Sequence, residues 1–123
     1  MPNPLYAITD SALTSDQLFI ACTDILGAGC TWLQYRNKSQ DHQRRLFEAK
    51  TLQQLCQCHE AQLIINDDIA LAQQVGAAGV HLGQTDTPIA EARAVLGAEA
   101  IIGITCHDSL ALADKAARAG ASY

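Results

Sequence analysis

The sequence predicts an α/β protein in which parallel strands and helices alternate along the chain. Three observations support this: short apolar runs recur, amphipathic segments separate them, and glycines stand at the junctions. Runs that are apolar at successive positions are typical of parallel strands covered by helices. The predicted strands extend from Leu5 to Thr9, Thr31 to Tyr35, Leu63 to Ile65, Val80 to Leu82 and Ile101 to Ile104.

Each segment between these runs opens with a helix-start signal. The first is a capping box, in which a threonine and a glutamine three residues later satisfy each other's backbone N–H groups. Another is a threonine followed by proline, which favours the first helical position. The predicted caps are Thr14 (with Gln17), Ser39 before the long segment from Gln40 to His59, Asp68, Thr87 (with Pro88) and Asp108.

The helices are predicted to end at glycines, which adopt the left-handed conformation of a C-terminal cap at little cost. Glycine-containing turns precede the later strands at residues 27–29, 76–79, 97–98 and 120–121. The chain therefore reads as five βα units, and Ala121-Ser122-Tyr123 as the start of a sixth strand. No linker interrupts residues 1–123, so a single domain is predicted.

Strict βα alternation is compatible with an open doubly wound sheet or with part of a (β/α)8 barrel. The turn after the first strand, Thr9 to Ala12, contains no glycine, which argues against a dinucleotide-binding sheet. A complete barrel needs about 200 residues or more, and this chain has 123. Composition does not choose between the two architectures.

Charge and hydropathy exclude several functional classes. Eight basic against 13 acidic side chains give a net charge of −5, which removes the electrostatic footprint of generic nucleic-acid binding. No apolar run is long enough to span a membrane, and Met1 to Pro4 lack the pattern of a signal peptide. We therefore expect a cytoplasmic protein with neither a membrane nor a nucleic acid as partner.

The five cysteines are expected to be reduced thiols, because their number is odd and no export signal accompanies them. Cys56, Cys58 and His59 superficially resemble metal ligands. On a helix, however, residues two apart point about 200° apart around the axis. Buried or half-buried thiols are therefore the favoured interpretation over a zinc site.

Reactive groups of parallel βα folds gather at the carboxyl ends of the strands. After the second strand, a period of two places Gln34, Arg36 and Lys38 on one face. A guanidinium, an ammonium and an amide directed together suit a phosphate or diphosphate ligand. The alternative is a solvated strand end whose cations pair with surface carboxylates.

Acidic groups follow the third and fourth strands. Asp67 and Asp86 are expected to face the same volume, because these strands are predicted neighbours. Two carboxylates with amide oxygens nearby suit magnesium, which also bridges to substrate phosphates. Helix capping is the alternative role for Asp86, and Asp68 is explained as a cap.

Beyond the fifth strand, Thr105 is a candidate donor to an anion, and His107 is an acid, a base or a hydrogen-bonding loop residue. His81 is interpreted as a core histidine with satisfied hydrogen bonds. The sequence has no nucleophile elbow and no zinc-protease motif, which disfavours hydrolysis by those routes. The whole set indicates a magnesium–diphosphate site for transfer from, or cleavage of, a diphosphorylated small molecule.

At these residues the sequence resembles the thiamine phosphate synthase family. The stretches occur in family order and spacing across essentially the whole chain. They are LYAITD (5–10), LQYRNK (33–38), IINDD (64–68), GVHLGQTD (79–86) and IGITCH (102–107).

The resemblance implies a (β/α)8 barrel that joins hydroxymethylpyrimidine diphosphate to thiazole phosphate, with magnesium, and releases diphosphate. The implied mechanism is dissociative, so that diphosphate leaves before the thiazole nitrogen attacks. It further implies that the pyrimidine diphosphate is held by Gln34, Arg36 and Lys38 with Asn66 and Thr105 beside it, and magnesium by Asp67 and Asp86.

Two departures from the family pattern stand out. Many members have serine where this chain has Thr105, which keeps the hydroxyl. The chain stops at Tyr123, before the family's lysine after strand six and the loops after strands seven and eight that hold the thiazole phosphate. We therefore expect a truncated barrel that does not catalyse the reaction alone.

Three other interpretations stay open at this point. A thiazole tautomerase-like paralogue would use a histidine near His107, but it has no need of Asp86. A non-catalytic module would bind the diphosphate without turnover. Exposed strand edges could also pair between two chains, so that a homo-oligomer assembles the barrel in trans.

Overall fold

The structure is a computed structural model that describes residues 5–123. Met1 to Pro4, where no signal-peptide pattern is expected, lie outside the described residues. Strands and helices alternate throughout, as predicted. In chain order the elements are β1 (Tyr6–Ile8), α1 (Ser15–Gly27), β2 (Trp32–Tyr35), α2 (His42–Cys58), β3 (Gln62–Asn66), α3 (Ile69–Val75), β4 (Gly79–Leu82), α4 (Ile89–Leu96), β5 (Ile101–Ile104) and α5 (Leu110–Arg118).

The described strands form one parallel sheet in the order β1-β2-β3-β4-β5. Leu33 pairs with Leu63 and Ile65 with Val80, so the apolar positions of neighbouring strands lie side by side. The prediction of five βα units in a parallel α/β fold is therefore confirmed. The sheet is open, and all of its carboxyl ends lie along one edge.

Residues 121–123 lie beside β5, where a sixth strand is predicted to begin. The Ser122 N–H donates to the Ile102 carbonyl at 2.7 Å, and the Ile104 N–H donates to the Tyr123 carbonyl at 3.0 Å. These bonds add a short paired segment to the edge of the sheet without making a regular strand.

Two of the predicted helix caps are confirmed. The Thr14 hydroxyl accepts from the Gln17 N–H at 3.2 Å, and the Gln17 side chain accepts from the Thr14 N–H at 3.0 Å. Asp68 accepts from the Leu71 N–H at 2.9 Å and caps α3. At the other end of α3, Gly76 has a φ of 72° and forms the predicted left-handed cap.

The other three predicted caps were wrong by one or two residues. Helix α2 is capped by Asp41, since the hydroxyl of Ser39, two residues earlier, accepts from the Asp41 N–H itself at 3.4 Å. Helix α5 is capped by Ser109 in place of Asp108. Helix α4 begins after the proline that follows Thr87, without a side-chain cap. Local pattern alone does not distinguish adjacent capping residues.

The core lies between the sheet and the helices. The apolar strand runs predict six buried residues, namely Leu33, Ile64, Ile65, Val80, Ile101 and Ile102. Of these, Ile101 is only half-buried. It opens β5 at the edge of the described sheet, and its partner in register, Gly79, has no side chain to cover it. The five confirmed core residues are Leu33, Ile64, Ile65, Val80 and Ile102, each 1% exposed or less.

All five cysteines are free thiols. Cys56 is buried in the core and Cys58 is exposed, as expected for residues two apart on a helix. Within residues 5–123, no helix combines the length and apolarity that crossing a bilayer requires.

Candidate active site

A cleft of about 620 Å³ opens where the strands end, and we call it the strand-end cleft. Parallel sheets place their functional groups at this edge. All seven residues predicted to form the site line this cleft, and the fold therefore brings the whole set together. They are Gln34, Arg36, Lys38, Asn66, Asp67, Asp86 and Thr105.

Gln34, Arg36 and Lys38 line the β2 side of the cleft, as the period of two predicts. Gln34 is only 3% exposed, and its Nε2 donates to Tyr6 Oη at 2.9 Å. The Arg36 N–H donates to Thr9 Oγ1 at 2.9 Å, which ties the end of β2 to the end of β1. The Arg36 and Lys38 side chains are exposed and border the cleft. The two cations are thus accessible to a ligand, whereas the Gln34 amide is buried and bonded to Tyr6.

Asp67 lines the cleft and has an unusual backbone conformation. Its φ is 66°, in the left-handed region that aspartate tolerates better than most residues. Its N–H donates to the His81 carbonyl at 2.9 Å, so the turn is anchored to β4. Lys38 Nζ lies 3.3 Å from Asp67 Oδ2. The carboxylate that pairs with Lys38 is therefore inside the cleft.

Asp86 supplies a second carboxylate to the cleft. Its Oδ2 accepts from the Gly83 N–H at 2.7 Å, which closes the loop after β4. It does not cap α4, whose N-terminus has no side-chain cap. Asp86 therefore holds its own loop in place and keeps its carboxylate at the edge of the cleft.

The two carboxylates interact unfavourably with each other. The pKa of Asp67 is raised, first by its partial burial and then by the neighbouring Asp86 carboxylate, while Lys38 acts in the opposite direction. Like charges at short range favour protonation or a bound cation. No group of three or more His, Cys, Asp or Glu side chains is arranged for a metal in residues 5–123. Two carboxylates would suit magnesium, which prefers oxygen ligands and usually keeps several waters.

His81 belongs to the cleft, a location that the sequence did not indicate. It is half-buried; its Nε2 lies 2.7 Å from Thr105 Oγ1 and its Nδ1 lies 3.2 Å from Tyr123 Oη. Burial lowers its pKa, and the two cleft aspartates act in the opposite direction. The expected satisfied histidine is thus present, but it faces the cleft and positions Thr105. His107 also borders the cleft, is exposed and has a φ of 53°.

The sequence did not indicate a further feature, a buried carboxylate behind the cleft. Glu48 of α2 is 1% exposed and accepts hydrogen bonds from residues of three segments. Its donors are Ser15 Oγ at 2.6 Å, Tyr35 Oη at 2.7 Å, Arg44 Nε at 3.0 Å and Asn37 Nδ2 at 3.4 Å. The available signal was the period of two in β2, which turns Tyr35 and Asn37 away from Arg36 and Lys38.

The chemistry that this arrangement offers is mainly electrostatic. Two cations, a hydroxyl and two carboxylates line one open cleft, which suits a metal-bound polyanion. Preorganised charges of this kind stabilise a leaving group as its negative charge develops.

Comparisons with known proteins place the chain among related sequences. Residues 5–123 match the sequence model of the thiamine monophosphate synthase family. The chain is 54% identical over 121 residues to the thiamine-phosphate synthase of Saccharophagus degradans, covering 97% of this chain and 56% of that protein. It is 54% identical over 120 residues to the enzyme of the same name from Thioalkalivibrio sulfidiphilus, covering 97% and 57%.

A solved structure extends the comparison to the fold. The thiamine phosphate pyrophosphorylase from Pyrococcus furiosus superposes with a TM-score of 0.84 at 33% identity, over 94% of this chain and 55% of that one. The chain thus spans a little over half the length of these relatives. A family match that runs from residue 5 to residue 123 shows that the chain belongs to the thiamine monophosphate synthase family.

Proposed function

We propose that the chain binds hydroxymethylpyrimidine diphosphate as part of a thiamine-phosphate synthase. This enzyme condenses that substrate with thiazole phosphate and yields thiamine phosphate and diphosphate. The observation that carries the proposal is the convergence of Arg36, Lys38, Asp67 and Asp86 on one strand-end cleft. The names of the relatives support the same transferase activity.

In this proposal the cations receive the diphosphate. Arg36 offers a planar fork of donors and Lys38 a compact charge, and both are exposed toward the cleft. They would stabilise the negative charge that grows on the departing diphosphate. Gln34, Asn66 and Thr105 would contact the substrate beside them. The cleft then needs little acid–base chemistry from the protein.

Asp67 and Asp86 are proposed to hold magnesium. Their mutual repulsion and the oxygen-only donor set support this role. Magnesium bound there would neutralise charge on the diphosphate oxygens. Lys38 contacts Asp67, and we expect it to turn toward the diphosphate when a metal is present.

The acid pair also bears on the competing function. A tautomerase-like paralogue has no need of a second acidic group after β4, whereas Asp86 is held at the cleft by the Gly83 N–H. This supports the synthase over the tautomerase. A binding module without turnover is distinguished by experiment.

The test is calorimetric titration of hydroxymethylpyrimidine diphosphate with magnesium, with product formation assayed in the same samples. Asp67→Ala and Asp86→Ala are compared with Asp114→Asn, which alters an exposed carboxylate on α5 paired with Arg118. We expect the first two changes to abolish binding and the third to preserve it. Equal binding by all variants would overturn the proposal. Thiamine phosphate formation would refute the prediction that this 123-residue chain is inactive alone.

The remaining expectations about partners stay predictions. Small-molecule substrates follow from the family. Cytoplasmic location, homo-oligomer formation and the lack of nucleic-acid or membrane partners follow from the sequence reasoning and await their own measurements.

A further inference from the structure

The buried Glu48 carboxylate needs an explanation that the proposed chemistry does not supply. Removing a carboxylate from water is costly unless its oxygens are hydrogen-bonded and its charge is paired. Here Oε1 accepts from Tyr35 and Asn37, and Oε2 accepts from Ser15 and Arg44. All of its contacts are made behind the sheet, outside the strand-end cleft.

One of these contacts leads directly into the loop after β2. Asn37 is 7% exposed; its Nδ2 donates to Glu48, and its Oδ1 accepts from the Ser39 N–H at 2.9 Å. A carboxylate only accepts and a backbone N–H only donates, so this amide has one possible orientation. Glu48 therefore fixes Asn37, and Asn37 fixes the backbone at Ser39.

The pleat of β2 connects this anchor to the cleft. Successive side chains of an extended segment point to opposite faces. Tyr35 and Asn37 point to Glu48, while Arg36 and Lys38, the residues that alternate with them, border the cleft. Holding the first pair fixes the direction of the second.

The same carboxylate also joins two loops. Ser15 is the first residue of α1, and its hydroxyl donates to Glu48 at 2.6 Å. Arg44 pairs with Glu48 through Nε and donates from its Nη2 to the Leu13 carbonyl at 2.7 Å. The ends of β1 and β2 are thereby connected through one buried point.

We propose that Glu48 is a positioning residue that holds Tyr35 and Asn37 behind β2 and so directs Arg36 and Lys38 toward the diphosphate. The ligand named here rests on the proposed function. The effect on the loop does not, because it follows from the contacts of Glu48 alone.

The test is Glu48→Gln, which keeps the shape of the side chain. One carboxylate oxygen becomes an NH₂ group, so one pair of donors loses its acceptor. Asn37→Ala breaks only the link to the loop. Asp114→Asn is the matched control, since it neutralises an exposed carboxylate on another helix.

Three readouts are taken on each variant: hydrogen exchange by mass spectrometry, the Kd for inorganic diphosphate with magnesium, and the Kd for magnesium alone. We expect exchange at residues 36–41 to rise in Glu48→Gln and Asn37→Ala but not in the control. The diphosphate Kd should rise about tenfold, as for the loss of a charged hydrogen bond, with magnesium affinity unchanged. The variant that carries both Glu48→Gln and Asn37→Ala should bind diphosphate no more weakly than either single variant, because both changes act through one link.

Each outcome decides a different claim. Unchanged exchange at residues 36–41, or equally faster exchange in every strand, would overturn the positioning role. A change in magnesium affinity as large as that for diphosphate would also overturn it, since a general loosening of the fold would affect both. Failure of the unmodified chain to bind diphosphate would refute the proposed function, and the exchange data would still decide the role of Glu48.

Discussion

Gly79→Ala is predicted to be among the most damaging small changes to this fold. Gly79 begins β4, the strand that carries His81 and leads to Asp86. A β-carbon added to Gly79 would overlap the Ile101 carbonyl oxygen and would lie 2.6 Å from its carbonyl carbon. Both atoms are backbone of the paired strand, so no change of rotamer relieves the overlap.

The expected cost follows from what has to move. Overpacking a well-packed site costs about 1–3 kcal/mol, and here β4 and β5 must also separate where Ile101 donates to the Ala78 carbonyl at 3.0 Å. Losing that bond adds about 1 kcal/mol. We therefore expect the free energy of unfolding to fall by about 3–4 kcal/mol, the sum of these effects near the upper end of the packing range.

The assay is urea denaturation followed by circular dichroism. Gly27→Ala is the matched control, because Gly27 is the last residue of α1 and a β-carbon added there has nothing within 4 Å. Alanine is favoured over glycine in helices by up to about 1 kcal/mol, so the control should be neutral or stabilising. A loss below about 1 kcal/mol in Gly79→Ala, with an unchanged m-value, would refute the packing argument.

Three further predictions concern the core, the buried acid and the thiols. Ile65→Ala should lower the free energy of unfolding by about 2–5 kcal/mol, whereas Ile20→Ala, at a 65% exposed position, should change it little in the same assay. Burial raises the pKa of Glu48 and three hydrogen bonds lower it, with a net downward shift. The loss in free energy of unfolding caused by Glu48→Gln at pH 7 should therefore shrink as the pH falls below about 4.3. A loss that does not change with pH would contradict this. Iodoacetamide should alkylate the exposed Cys58 in the native protein and spare Cys56, whose pKa burial raises to about 12, as peptide mass spectrometry would show.

Much of the fold could be predicted because periodicity is a direct consequence of burial. Runs such as Leu63 to Ile65 are apolar at successive positions because both faces of the strand are buried, and glycines such as Gly76 stand where a left-handed cap is required. The same periodicity placed Gln34, Arg36 and Lys38 on one face. The prediction that all the candidate residues share one cleft needed only the rule that parallel strands end at a common edge.

Other features depend on contacts between segments that are distant in the sequence. Glu48 accepts a hydrogen bond from Ser15, 33 residues away, so a pattern within α2 cannot show that it is buried. The left-handed turn at Asp67 is held by the His81 carbonyl on the next strand. The predicted capping residues were wrong for a more local reason. Ser39 and Asp41 each accept a hydrogen bond from a nearby backbone N–H, and either residue satisfies the capping rule.

The central claim is that the strand-end cleft binds a diphosphate together with magnesium. It is tested most directly by the Kd for hydroxymethylpyrimidine diphosphate measured on the unmodified chain, with magnesium and then with chelator. We predict binding at least about tenfold tighter with magnesium, since the metal would neutralise the repulsion between Asp67, Asp86 and the ligand. Equal affinity in both conditions would contradict the account.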